Sequence, residues 1–284
     1  MNLLNVIDEI EKKDPEIFER LDGRRQAMKQ LVSFSGKVAM MAVPVALGSM
    51  FKKAYGQSGT ALILDVLNFA LTLEYLEAEF YVRGLAATGL IAAVDRPAFQ
   101  TISDHENAHV EFLRSAITSL GGTPVAKPTF DFTAGNGSMA GPFANVFTNY
   151  GTYLAVSQTF EDTGVRAYKG QAGNLISSNA ILRAALRIHS VEARHAAHVR
   201  EIRRRNGLLV PAGVLLQPWI TLNQSGIASP LVQPSYNGEE NTTQAGIQIV
   251  GINGFAITAE DASEAFDEPL TKQQVLAIVD PFIV

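Results

Sequence analysis

Two stretches of this sequence carry the same four side chains in the same order. Glu74 is followed by Tyr81, Glu106 and His109, and Glu161 is followed by Tyr168, Glu192 and His195. In each stretch the tyrosine stands seven residues after the first glutamate, and the last two residues form a Glu-x-x-His. Carboxylates and imidazoles are ligands of divalent transition metals, and residues three apart on a helix share a face, so each Glu-x-x-His aims both groups the same way. Four glutamates and two histidines brought to one level of a helical bundle are a ligand set for two metal ions. One Glu-x-x-His alone is a weak signal; two in register with the same upstream Glu and Tyr are a poor fit to chance. The plainer reading is polar pairs on a helix surface, worth about a few tenths of a kcal/mol each. That reading conflicts with Leu71, Ala78 and Tyr81, which lie on the side of Glu74 and mark its face as buried. A buried carboxylate is costly unless paired or bound to metal.

The elements that must position these residues are two helical hairpins. Each interval holds one turn signal near its midpoint, around Ala92 and around Ile176, which returns the second motif to the depth of the first glutamate. The pattern predicts helices over 60–87, from Asp95-Arg96-Pro97 to Gly121-Gly122, over 142–170, and over 177–206 with Gly207 after it. Leu64, Leu67, Phe69, Leu71 and Leu73 are core candidates of the first. The connection 121–142, rich in Gly, Pro, Thr and Ser, is long enough to run the length of a bundle, with Phe130 and Phe132 as its anchors. An all-α four-helix bundle with a long crossover follows. Glu77, one turn from Glu74, flanks the site as a supporting or alternative ligand, while Glu79 points to solvent. His105 is turned about 100° from Glu106 and is set aside as a ligand. His189 and His198 lie near the stripe of Glu192 and His195 as supporting groups.

The run Leu73-Glu74-Tyr75-Leu76-Glu77-Ala78-Glu79-Phe80-Tyr81, together with Glu106-Asn107-Ala108-His109, Glu161 and Glu192-Ala193-Arg194-His195, resembles the ferritin-like superfamily. More narrowly it is similar to exported bacterial proteins related to plant desiccation-related proteins. The resemblance implies a non-haem site of two Fe ions, or alternatively two Mn ions, held by Glu74, Glu106, His109, Glu161, Glu192 and His195, with Glu106 and Glu192 bridging. It makes Tyr81 and Tyr168 the catalytic candidates, as hydrogen-bond donors to ligand carboxylates or as electron sources; packing in the core accounts for them equally well. The superfamily includes ferroxidases, peroxidases, oxygenases and manganese catalases, so it implies no single reaction. Manganese catalases typically keep one Glu-x-x-His in full, and here both are complete, which favours iron. The expected function is a ferroxidase- or peroxidase-type oxidoreductase reacting with O2 or hydrogen peroxide in oxidative or desiccation stress. A non-catalytic metal-binding or structural stress protein is the alternative, and a manganese catalase ranks below both.

Composition narrows the rest. With 284 residues, 47% of them hydrophobic, the chain can bury one sizeable core. A net charge of −5 argues against a nucleic-acid partner, and the cluster of Arg200, Arg203, Arg204 and Arg205 is accounted for as cations closing a helix. The absence of cysteine removes disulfides and any cysteine-bound iron centre, so electrons must come from Fe(II) or an external donor. Self-association into a homo-oligomer stays open.

Residues 1–59 read as a helical leader. An amphipathic helix over 2–21 is followed by Arg24-Arg25 and an apolar run over 38–51, which resembles a twin-arginine export signal and places the protein in the periplasm; a retained N-terminal helix in the cytoplasm is the alternative. The bundle occupies 60–207. Residues 208–284, punctuated by prolines, are expected to wrap it, with a short strand over 246–252 and a final helix capped by Thr271 and Gln274. Asp267 and Glu268 are read as cap or rim residues rather than ligands.

Overall fold

Among the described residues, caps and glycines set off four long helices. α1 (Gln57–Ala86) and α2 (Arg96–Ser119) form the first hairpin, and α3 (Tyr150–Ala172) and α4 (Asn179–Asn206) the second. The computed structural model describes residues 57–208 and 210–284; the expected leader, with Arg24, Arg25 and the apolar run 38–51, lies outside the described residues. Pro97 sits in the first turn of α2, where no backbone N–H is needed. That helix ends in a Schellman turn, with Gly121 at φ 80° and the N–H groups of Gly121 and Gly122 returned to Thr118 and Ile117. Asn149 caps α3 by accepting from Thr152 N at 3.0 Å, and Ser178 caps α4 by accepting from Ile181 N at 3.1 Å.

Asp95 holds the cap position of α2 but does not cap it. Its carboxylate accepts instead from the Tyr150 hydroxyl at 2.7 Å and from Arg205, so it ties the start of α2 to α3 and α4.

In the bundle α1 lies along α2, α3 lies along α4, and α1 meets α3. Residues before Glu74 and Glu192 share one cavity wall with residues after His109 and Glu161, which makes each hairpin antiparallel and sets α1 antiparallel to α3. By length and composition α1 is apolar enough to cross a membrane, yet it is a core helix here, with Leu71, Phe80 and Tyr81 fully buried. The two ends of the core differ. Towards the C-terminus of α1, the rings of Phe80, Tyr81, Phe99, Phe132, Tyr153 and Phe160 pack against one another, the closest pair at 4.8 Å between centroids. The other end is richer in aliphatic side chains, among them Val66, Leu67, Leu73, Leu113, Leu175, Ile181 and Ile188.

The third helix starts later than the sequence pattern predicts. Residues 142–149 form successive turns, and Asn149, in extended conformation, sets the first helical residue at Tyr150 because its side chain takes up a free N–H of the first turn. The crossover folds around the buried Asp131, which accepts from Thr133, Gly137 and Met139. Phe130 and Phe132 anchor it as expected. Its backbone is paired with residues near 282: Asp131 N donates to Phe282 O at 2.9 Å and Val284 N to Thr129 O at 2.9 Å.

The tail lies against α3 and α4. It carries a small hairpin, β1 (Thr243–Gln244) with β2 (Ile247–Gln248), and two short helices, α5 (Ala259–Glu264) and α6 (Lys272–Val279). The capping box of Thr271 and Gln274 opens α6 as predicted. The strand expected over 246–252 shrinks to two residues because its apolar side chains have no buried face to fill; Ile247 is 55% exposed. At Gly170 a Cβ would stand 1.9 Å from Leu270 O, so helix and tail meet at backbone distance.

Arg203, Arg204 and Arg205 do stand in the last turn of α4, but closing the helix does not account for Arg200 and Arg203. Both are buried, and with Arg166 they fasten the tail. Arg200 donates to both oxygens of Asp162, at 3.1 and 2.6 Å, and Tyr236 of the tail donates to the same carboxylate at 2.8 Å. Arg203 reaches Gln158 and Gly226 O, and Arg166 reaches Ser235 O, Asn237 O and Glu239. Arg204 and Arg205 remain exposed.

Candidate metal centre

The fold brings all six predicted ligands to one level. Among the described residues two groups offer ligand atoms within 4.8 Å of one another: Glu74, Glu106, His109 and Glu192, and Glu106, Glu161, Glu192 and His195. Glu106 and Glu192, one from each Glu-x-x-His, are common to both. None of the six is more than 9% exposed. His109 Nδ1 lies 3.1 Å from Glu74 Oε2, 3.2 Å from Glu106 Oε2 and 3.1 Å from Glu192 Oε1. His195 Nδ1 lies 2.9 Å from Glu106 Oε1 and 3.3 Å from Glu161 Oε2.

Hydrogen bonds alone do not account for this packing. A single Nδ1–H can point well at only one acceptor, yet three carboxylate oxygens crowd around that of His109. Glu106 Oε1, Glu161 Oε2, both oxygens of Glu192 and His195 Nδ1 are buried with no aligned hydrogen-bond partner among the described residues. Gly164 stands three residues after Glu161, as Glu77 stands after Glu74. A Cβ there would lie 3.3 Å from Glu192 Oε2 and from Glu77 Oε1, so the missing side chain makes room for two carboxylates. Converging oxygen and imidazole donors of this kind fit divalent metal ions.

The charges point the same way. Burial pushes Glu77 and Glu192 well above the usual carboxylate range, and neighbouring carboxylates push further, Glu192 and Glu161 acting on Glu77, Glu106 and Glu74 on Glu192. Burial likewise raises Glu106 to about 7, against the pull of His109 and His195. It would keep His195 neutral, but Glu161 and Glu106 outweigh it and lift that imidazole to about 11. His109 is driven up by Glu74, Glu106 and Glu192 against the same burial. Without a metal, the cluster is therefore held together by protons that metal ions would displace.

Tyrosines complete the centre across the bundle. Tyr81 of α1 donates to Glu161 of α3, and Tyr168 of α3 donates to Glu74 of α1. Helical side chains lean towards the N-terminus, so a tyrosine two turns after a glutamate reaches back to the ligand level. Burial, reinforced by the neighbouring carboxylates, keeps both hydroxyls protonated well above their usual range.

His105, set aside from the sequence, belongs to the centre. Its Nδ1 is 2.9 Å from His195 Nε2 with the rings stacked, a contact that holds the His195 ring with its Nδ1 towards the carboxylates. Its position four residues before His109 puts it on the same stripe, but the contact with His195 depends on packing between helices. Glu77 is buried beside the cluster. His189 bonds to Val165 O and His198 is exposed, so neither touches it. Asp267 and Glu268 lie outside both groups.

The chain matches the family model of the ferritin-like domain over residues 63–205, a span that contains all six candidate ligands. No curated protein matches it.

Proposed function

This chain belongs to the ferritin-like family, and on that premise we propose that it is an oxidoreductase holding two iron ions, of the ferroxidase or peroxidase type. The observation that carries this reading is the overlap of the two four-residue groups at Glu106 and Glu192. One metal would rest on Glu74 and His109, the other on Glu161 and His195, with the shared carboxylates between them. Iron bound there supplies electrons to O2 or hydrogen peroxide. Tyr81 and Tyr168 hold Glu161 and Glu74 in place, and His105 orients His195. With no cysteine-bound centre in the chain, turnover draws on Fe(II) or an external donor. The same donors suit two manganese ions; two complete Glu-x-x-His motifs favour iron. Likeness to exported, desiccation-related proteins is the ground for placing this chemistry in periplasmic stress protection.

The closed setting of the ligands favours one second reading, a protein that holds metal with little turnover. Anaerobic loading should give about two Fe(II) per chain, and admission of O2 or peroxide should oxidise them rapidly. Metal that stays reduced would establish the second reading, and no uptake would reject both. Rapid O2 release from peroxide by the manganese form would indicate a catalase.

A further inference from the structure

With every ligand buried, a reactant must reach the centre through the protein. A cavity of about 20 Å³ lies at the other end of the bundle from the packed rings, walled by Ala70 and Leu73 of α1, Leu113 of α2, Tyr168 of α3, and Ala185 and Ile188 of α4; Gln171 also stands on its wall but presents no polar atom to the space. Ala70 precedes Glu74, Ile188 precedes Glu192 and Leu113 follows His109 by four residues each, about 6 Å along a helix. The space therefore sits between the helices one turn from the ligands, and the Tyr168 ring, whose hydroxyl binds Glu74, stands between the two. Its accessible wall is wholly apolar. A space of this size can hold one small molecule, but such walls offer water no hydrogen bond. The aromatic end of the core, packed ring on ring, fills the corresponding volume on the other side.

We propose that this cavity is the docking place of dioxygen beside the metal centre, and that hydrogen peroxide does not use it. The proposal rests on the di-metal reading and specifies its oxidant. Dioxygen is uncharged, small and without hydrogen-bonding groups, and it gains by leaving water for an apolar wall. Peroxide would have to strip the partners from two hydroxyls and find none. Ala185 is the position at which to close the space, since it lines the cavity and belongs to neither four-residue group.

The probe is xenon, applied under pressure to crystals of the full chain. One atom should bind between Tyr168 and Ala185 in the wild type and be lost in Ala185→Leu, with Ala185→Val as a milder variant should the leucine disturb folding. In iron-loaded protein, oxidation by O2 should slow on the order of tenfold in the leucine variant, and less in the valine one, while oxidation by peroxide changes far less. Absence of xenon from the wild-type cavity, or equal slowing with both oxidants, would overturn the proposal. Xenon bound in a chain that takes up no metal would uphold the apolar docking place and reject the di-metal reading, so the two failures are distinguishable.

Discussion

Two buried clusters of charge sit back to back on α3, and they are solved in opposite ways. On the outward face Asp162 is paired with Arg200, Glu239 with Arg166, and Arg203 with Gln158 and a tail carbonyl, so each carboxylate meets a guanidinium. On the inward face Glu161 joins Glu74, Glu77, Glu106 and Glu192, five carboxylates against two imidazoles, and several of their atoms lack an aligned partner. In the first arrangement each carboxylate has its cation within the chain, although Glu239 Oε2 lacks an aligned partner. The second has more carboxylates than cations and could hold metal ions. Burial alone therefore does not distinguish a structural charge from a functional one; the bookkeeping of partners does.

Breaking that contrast should give its largest effect at the shared glutamates. Glu106→Ala or Glu192→Ala should abolish binding of about two metals per chain, whereas Glu74→Ala or Glu161→Ala should remove about one, as read by elemental analysis. Full occupancy in the first pair would refute the shared-ligand arrangement. In the outer cluster Arg200→Met should cost ~3–5 kcal/mol in chemical denaturation by stranding Asp162, with metal content unchanged. Loss of metal at preserved stability would show that the two clusters are not independent.

The pH dependence sharpens the comparison further. Glu106 is raised from 4.5 to about 7 in the fold, so its contribution is complete below 4.5 and is lost as pH rises through about 7. That of His195, raised from 6.5 to about 11, is complete below 6.5 and is lost as pH rises towards 11. Metal-free protein should therefore melt at progressively lower temperature between pH 5 and pH 8, about the window these values define. Bound metal should reverse the trend, because its ligands must be deprotonated. A melting temperature of the metal-free protein that rises over this window would contradict the account. The smallest effect is expected at Glu77: Glu77→Gln should stabilise the metal-free chain by about 1 kcal/mol by removing a carboxylate from among like charges. Destabilisation there would mean that Glu77 is partnered as Asp162 is.

The contrast also marks how much the sequence discloses. The convergence of the six candidate ligands is legible because their spacing repeats, and helix geometry converts spacing into a shared face. The hairpins were legible from their turns, and the final capping box from Thr271 and Gln274. His105 stays outside both groups of candidate ligands, as its angle to Glu106 implies, but its contact with His195 depends on packing between helices and is not legible in spacing. Arg200 and Arg203 meet the same limit. An arginine-rich helix end has the same sequence whether solvent or a distant tail covers it, and Tyr236, Gly226 and Trp219, which cover this one, are set by long-range packing. The start of α3 depended likewise on a local contest, in which Asn149 prevailed over Pro142.

The pairing of the crossover with residues 281–284 carries a consequence for the order of events at synthesis. Asp131 and Asn136 bond to the backbone of Phe282 and Pro281, partners made some 150 residues later on the ribosome. Contacts so distant in sequence close late. The crossover between the two halves of the candidate ligand set is therefore locked only after residues 281–284 have been made, well after His195, the last of the candidate ligands.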